Sequence, residues 1–106
     1  MEPGESLRET CERELAEEVG IRGSVTALIS ITSSPDWLVI FPDGNKCQFV
    51  SALYLVKARS TKIATSCEAT AARFFSKREL AKIDLIANHR ERVADAFRFR
   101  GAVIER

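Results

Sequence analysis

Three glutamates near the N-terminus have the residue type and the spacing of a metal-binding cluster. Glu14, Glu17 and Glu18 are related as i, i+3 and i+4, which places their side chains on one face of a helix. Like charges at this spacing destabilise an isolated helix by about 0.2–0.5 kcal/mol per pair. A bound cation would offset that repulsion, and carboxylate oxygens suit Mg²⁺ or Mn²⁺, hard ions that also share substrate phosphates. The alternative interpretation is a solvated acidic face of an ordinary amphipathic helix.

The stretch that carries these glutamates has the signals of one short helix. Ser6 followed by Glu9 forms a capping box at its start. Gly20 can adopt the left-handed conformation that ends a helix. Four side chains recur every four residues and are expected to form the buried stripe of this helix: Leu7, Cys11, Leu15 and Val19.

The same segment resembles the Nudix box, Gly-x5-Glu-x7-Arg-Glu-U-x-Glu-Glu-x-Gly-U, in which U is a bulky aliphatic residue. Glu5 is followed at the required spacing by the run Arg13-Glu14-Leu15-Ala16-Glu17-Glu18-Val19-Gly20-Ile21. At average residue usage, chance matches at all of the fixed positions present here come to about 10⁻⁷ per starting point. An acidic helix face by itself explains neither the Arg-Glu-Leu register nor the final Gly-Ile.

The resemblance implies hydrolysis of a nucleoside diphosphate linked to another moiety, by attack of water on phosphorus. Glu14, Glu17 and Glu18 would be the ligands of Mg²⁺ or Mn²⁺. Glu17 or Glu18 would also hold or activate the attacking water, and the sequence does not separate these two roles. Some members of the family take a general base from a later loop, and Glu68 is the best-placed candidate for it. A solvated loop glutamate is an equally good interpretation of Glu68.

The remaining fixed residues of the box are expected to be structural. Glu5 and Arg13 would form an ion pair that ties the loop before the helix and orients the ligands, and Gly20 would end the helix. Arg13 could instead pair with Glu9 or Glu17 along the helix, and these interpretations are compatible with one another.

The rest of the chain predicts strands and a final helix. Ser24–Thr32 and Trp37–Phe41 are rich in β-branched and aromatic residues, and the turn residues 42–45 lead into a long strand over Lys46–Lys57. That last strand is apolar on both sides, so it is expected to be central in the sheet. A second capping box, Ser76 to Glu79, precedes a helix over Asn88–Arg98 in which Asp95 is expected to face solvent.

Together with the resemblance, this order of elements predicts an α+β fold. The expected architecture is a Nudix-like α/β/α sandwich, in which a mixed and mostly antiparallel sheet lies between the Nudix helix and a C-terminal helix. Residues 1–106 are expected to form a single, partial domain.

The first glycine of the box would lie two positions before Met1, and the strands that the family places before the box would be absent with it. We therefore expect an open strand edge, a homodimer in which the open edges or faces meet, and weakened hydrolysis. The alternative function is a non-catalytic or weakly active nucleotide-binding or dimerisation module. A rival explanation is that Met1 is an internal methionine of a longer protein.

Composition excludes several other classes of function. The formal net charge of +1 gives no electrostatic case for binding a nucleic acid polymer or an anionic membrane, and no apolar run has the length of a membrane span. The three cysteines lack metal-ligand spacing, which indicates a reducing, cytoplasmic setting. The resemblance to the Nudix box implies that the partner is a small molecule of the nucleotide type.

Overall fold

A computed structural model describes residues 1–60, 62–63, 74–82 and 87–106. The helices are α1 (Leu7–Val19), α2 (Lys77–Leu80) and α3 (Ala87–Arg98), with a 3₁₀ turn at Pro35–Trp37. The strands are β1 (Gly23–Thr32), β2 (Leu38–Ile40), β3 (Lys46–Gln48), β4 (Ser51–Ala58) and β5 (Ile104–Glu105). Both α1 and α3 contact β1 and β4. The predicted α+β class with a mixed sheet is confirmed.

Helix α1 begins at the predicted capping box. The Ser6 hydroxyl accepts a hydrogen bond from the Glu9 amide at 3.1 Å, and the Glu9 carboxylate accepts one from the Ser6 amide at 3.3 Å. At the other end Gly20 has φ of 72°, and its amide donates to the carbonyl of Ala16. Only Gly adopts this conformation without a steric penalty from Cβ, so the helix stops here.

The predicted buried stripe of α1 is only partly buried. Cys11, Leu15 and Val19 are half-buried, whereas Leu7 is 52% exposed. Leu7 lies in the first turn of the helix, where the stripe is least covered. A polar contact adds to the packing, because the Val25 amide of β1 donates to the Glu12 carboxylate at 2.8 Å. The position of α1 against β1 is therefore set by a hydrogen bond as well as by apolar contacts.

The main sheet has the strand order β4-β1-β5. β1 and β4 are antiparallel, while β5 pairs with β1 in parallel, with Ser30 opposite Ile104. The expectation that the strand over 46–57 is continuous and central is wrong. That segment breaks at Phe49 and Val50, and in the described part of the chain β4 is an edge strand while β1 is central. Apolar residues on both sides indicated two covered faces, but here several of them are exposed.

Strands β2 and β3 form the predicted antiparallel hairpin, in which Val39 lies opposite Cys47. Gly44 at its turn has φ of 90°, and the Phe41 amide donates to the Asn45 carbonyl at 2.8 Å. The first strand is shorter than predicted, because Trp37 belongs to the preceding 3₁₀ turn. This hairpin is a sheet of its own, separate from β4-β1-β5.

The expectation that Asp95 faces solvent is wrong. Asp95 is 1% exposed, and Arg106 donates to both of its carboxylate oxygens at 2.8 and 2.7 Å. The backbone of Arg106 in turn exchanges hydrogen bonds with Ile31 and Ser33, which extends the pairing of β5 with β1. This ion pair therefore connects α3 to the sheet. The helical pattern alone predicts an exposed side chain at the same position.

Candidate active site

The loop before α1 is fixed by Glu5. Its carboxylate accepts hydrogen bonds from Arg13 Nε at 2.8 Å and Nη2 at 3.1 Å, which is a bidentate pair. It also accepts from the Thr10 hydroxyl at 2.7 Å and from the Glu2 amide at 3.0 Å. These donors, Arg13 above all, lower the pKa of Glu5 to about 2. Glu5 is therefore a charged anchor that holds the loop against the second turn of the helix.

Arg13 connects this anchor to the acidic face of α1. Its Nη1 donates to Glu17 Oε2 at 3.0 Å, and its Nη2 lies 3.9 Å from Glu14 Oε1. The carboxylate of Glu5 raises the pKa of Arg13, so the guanidinium stays charged. The structure brings Arg13 to both Glu5 and Glu17, whereas Glu9 is used in the capping box. A continuous line of contacts therefore runs from the loop to the second glutamate of the cluster.

Glu14, Glu17 and Glu18 lie on one exposed side of α1. Within the described part of the chain, no three His, Cys, Asp or Glu side chains lie close enough together to hold a metal ion. The three glutamates therefore share a helix face without converging. Glu14 stands three and four residues before Glu17 and Glu18, a spacing at which Cβ atoms are about 5–6 Å apart, so each of these long side chains can rotate towards that of Glu14. An all-oxygen donor set of this kind fits Mg²⁺ or Mn²⁺.

Beside α1 lies a cleft of about 250 Å³ that sequence reasoning did not anticipate. It is lined by three arginines and one acid, with two small residues: Arg13, Arg22, Arg59, Glu12, Ala16 and Gly23. Arg22 directly follows the end of the box, but no local signal points to Arg59. Pairing of β1 with β4 places Gly23 opposite Ala58, and so brings the following Arg59 to the start of β1.

Gly23 makes this close pairing possible. A Cβ atom at this position would lie 2.7 Å from Val56 Cγ1 and 2.9 Å from the carbonyl oxygen of Lys57. Neither distance is compatible with a real side chain, so the backbones approach closely only because residue 23 is glycine. Arg59 is held there by its amide, which donates to the Arg22 carbonyl at 2.8 Å, and by a bond from Nη2 to the Ser24 hydroxyl at 3.2 Å. The arrangement concentrates positive charge next to the acidic face.

Glu68, the predicted general base, lies outside the described residues, and its role stays a prediction. In the described ranges no helix is long and apolar enough to cross a bilayer. A family model described as NUDIX domain matches residues 1–97 of the chain, which is nearly all of it. No curated protein matches the chain.

Proposed function

The chain belongs to the Nudix family, and from this membership we propose that it hydrolyses a nucleoside diphosphate linked to another moiety, with a divalent cation held on α1. Pyrophosphate hydrolysis is the general activity of this family. The observation that supports a cation on α1 is the line of contacts from Glu5 through Arg13 to Glu17. Exposed Glu14 and Glu18 lie beside it. These contacts hold one of the three glutamates in place on the face that would bind the cation.

Glu14, Glu17 and Glu18 would hold Mg²⁺ or Mn²⁺. When bound, such an ion neutralises phosphate charge and lowers the pKa of a coordinated water. The protein's own part in phosphoryl transfer is then mainly positioning and electrostatics. Arg13 performs the positioning here, because its bidentate bond to Glu5 fixes the guanidinium that in turn holds Glu17. Glu17, Glu18 or Glu68 would accept the proton of the attacking water.

Arg22 and Arg59 would bind phosphate oxygens. They line the cleft beside Arg13, and a guanidinium presents donors in a geometry that matches phosphate. Their positive charge also balances the charge of the glutamates, which would otherwise repel a pyrophosphate. Binding of substrate and holding of metal are thus assigned to adjacent parts of the same surface.

Turnover of a nucleotide panel tests this proposal. Nucleoside diphosphates linked to phosphate, to a sugar or to a second nucleoside would be supplied with Mg²⁺ or Mn²⁺, and the products separated by chromatography. We expect Glu18→Gln to lower kcat/KM by about a hundredfold or more, as loss of a metal ligand should. Glu105→Gln is the matched control, because Glu105 is an exposed glutamate on β5 and outside the box. Equal turnover by the two variants would contradict the assignment.

A further inference from the structure

A second cleft, of about 490 Å³, lies between α2 and α3. Its apolar part consists of half-buried Leu80, Val93 and Ala94 and of the partly exposed ring of Phe97. Among the described residues that line it, none belongs to α1, so it is distinct from the acidic face discussed above. Its size is within the range of about 300–1,000 Å³ typical of small-molecule sites.

The polar part of this cleft is entirely cationic in the described residues. Lys77, Arg90, Arg98 and Arg100 line it, and no carboxylate does. The chain as a whole has a net charge of only +1, so this concentration is local. The acidic residues of α3 are directed elsewhere, since both Glu91 and Asp95 contact Arg106.

Helix electrostatics account for only some of these cations. Arg98 is in the last turn of α3, where the helix dipole favours positive charge without any ligand. Arg90 is in the first turn, where the dipole opposes positive charge and where α3 has no acidic residue. Arg90 nevertheless lines the cleft and adds to its positive charge.

Two further cations contact Phe97, one at its ring and one at its backbone carbonyl. Lys77 Nζ lies 5.5 Å from the centre of the Phe97 ring. Arg100 Nη1 donates to the carbonyls of Phe97 and Phe99 at 3.1 and 2.9 Å, which fixes the guanidinium at the end of the helix. A ligand that reached Phe97 would therefore meet the charge of Lys77 at the ring and that of Arg100 at the end of the helix.

We propose that this cleft binds a small organic phosphate, in which a flat ring is joined to a phosphate group. The ring would pack on Phe97 and the half-buried apolar residues, and the phosphate would contact Lys77 and the arginines. A phosphate monoester carries about −1.5 to −2 charges at pH 7, so it matches a cluster of cations better than a single carboxylate does. The site uses no residue of α1, and it goes beyond the proposed hydrolysis without depending on it.

Binding of adenosine monophosphate in excess EDTA tests this proposal, because the chelator silences any metal-dependent binding at α1. Isothermal calorimetry would compare adenosine monophosphate with adenosine and with inorganic phosphate, which are its two halves. We expect the intact nucleotide to bind more tightly than either half. Lys77→Gln and Phe97→Leu should each weaken it by about three- to tenfold. Arg78→Gln is the matched control, since Arg78 is the neighbouring cation on α2 and does not line the cleft.

Three results would overturn the site. The first is that the wild-type protein does not bind adenosine monophosphate at millimolar concentration. The second is that Arg78→Gln weakens binding as much as Lys77→Gln does, which would indicate general charge attraction. The third is that inorganic phosphate binds as tightly as the nucleotide. Thermal melts of each variant identify loss of folding. The variants of α1 are tested for hydrolysis and the variants of the cleft for nucleotide binding, so either proposal can fail without the other.

Discussion

The carboxylate of Glu5 accepts four hydrogen bonds. Its ionisation should therefore change the free energy of unfolding. Its hydrogen bonds, chiefly from Arg13, lower its pKa from an ordinary value of 4.5 to about 2. Because the pKa is depressed in the folded state, the stabilisation is fully present above pH 4.5 and is lost as the pH falls towards 2. We predict that the free energy of unfolding falls more steeply over this range in the wild type than in Glu5→Gln, as measured by urea denaturation.

Asp95 also has a lowered pKa, because of its bond to Arg106, so both proteins will lose some stability in acid. The difference between the two curves isolates the contribution of Glu5. If the curves are parallel between pH 4.5 and pH 2, the ion pair with Arg13 does not stabilise the folded state.

Glu17 and Glu18 should respond differently to loss of charge in the absence of metal. Glu17 is paired with Arg13 at 3.0 Å, whereas Glu18 stands four residues after Glu14 and repels it. We predict that Glu18→Gln raises stability by about 0.2–0.5 kcal/mol in EDTA, and that Glu17→Gln lowers the melting temperature. Thermal melts measure both. A Glu18→Gln protein less stable than the wild type would show that Glu18 is a structural ion-pair partner.

At the scale of single residues, the sequence predicted contacts between side chains that are close to one another in the chain. The relation of Glu5 to Arg13 and of Arg13 to Glu17 follows from helical spacing and from the resemblance to the box. Arg59 could not be found in this way, because only the register of β1 against β4 brings it to the cleft beside Arg13. The spacing of residues within a segment does not predict contacts between segments that are distant in sequence.

At the scale of helices and strands, features that a short local motif specifies were predicted correctly. Both capping boxes and the β2–β3 hairpin are present, because Ser–Glu pairs and the Asp43-Gly44-Asn45 turn specify local hydrogen bonds. The short strand β5 was missed, since two residues carry too little pattern to indicate a strand. Its pairing with β1 is also what brings Arg106 to Asp95 and buries an acid on α3.

The link between α3 and the sheet should be weakened by Asp95→Asn. The amide has the shape of the carboxylate but no charge, and it can accept from Arg106 through one oxygen only. We predict a loss of about 1–3 kcal/mol in the free energy of unfolding, the range for a disrupted buried hydrogen bond. Chemical denaturation measures it. Glu91→Gln is the control, because Glu91 contacts the same arginine at a longer 3.4 Å and is far more exposed. Equal effects of the two variants would contradict the role given to Asp95.

The whole molecule buries little apolar surface among the described residues, where only Ile21 and Ile29 are buried hydrophobic side chains. Its radius of gyration is 15.1 Å, compared with about 13 Å for a compact domain of about this length. The hairpin of β2 and β3 accounts for part of the exposed apolar surface, since Ile40 is 63% exposed and Val50, just after β3, is 72% exposed. Exposed apolar side chains that lie close together favour association between chains.

We propose that two copies of the chain associate through this hairpin. Ile40→Lys would place a charge in such an interface, whereas Lys62→Gln, at an exposed lysine outside the hairpin, is the control. Light scattering after size-exclusion chromatography should give a dimer mass for the wild type and the control, and a monomer mass for Ile40→Lys. A monomeric wild type at all concentrations would rule out the dimer.

The central claim is that the glutamates of α1 bind a divalent cation. Its most direct test is calorimetric titration of the metal-free protein with Mn²⁺, comparing the wild type, the double variant Glu17→Gln and Glu18→Gln, and the control Glu105→Gln. We predict equal affinity for the wild type and the control. The double variant should bind at least about tenfold more weakly, a loss of about 1.4 kcal/mol or more. Unchanged Mn²⁺ affinity in the double variant would contradict the claim.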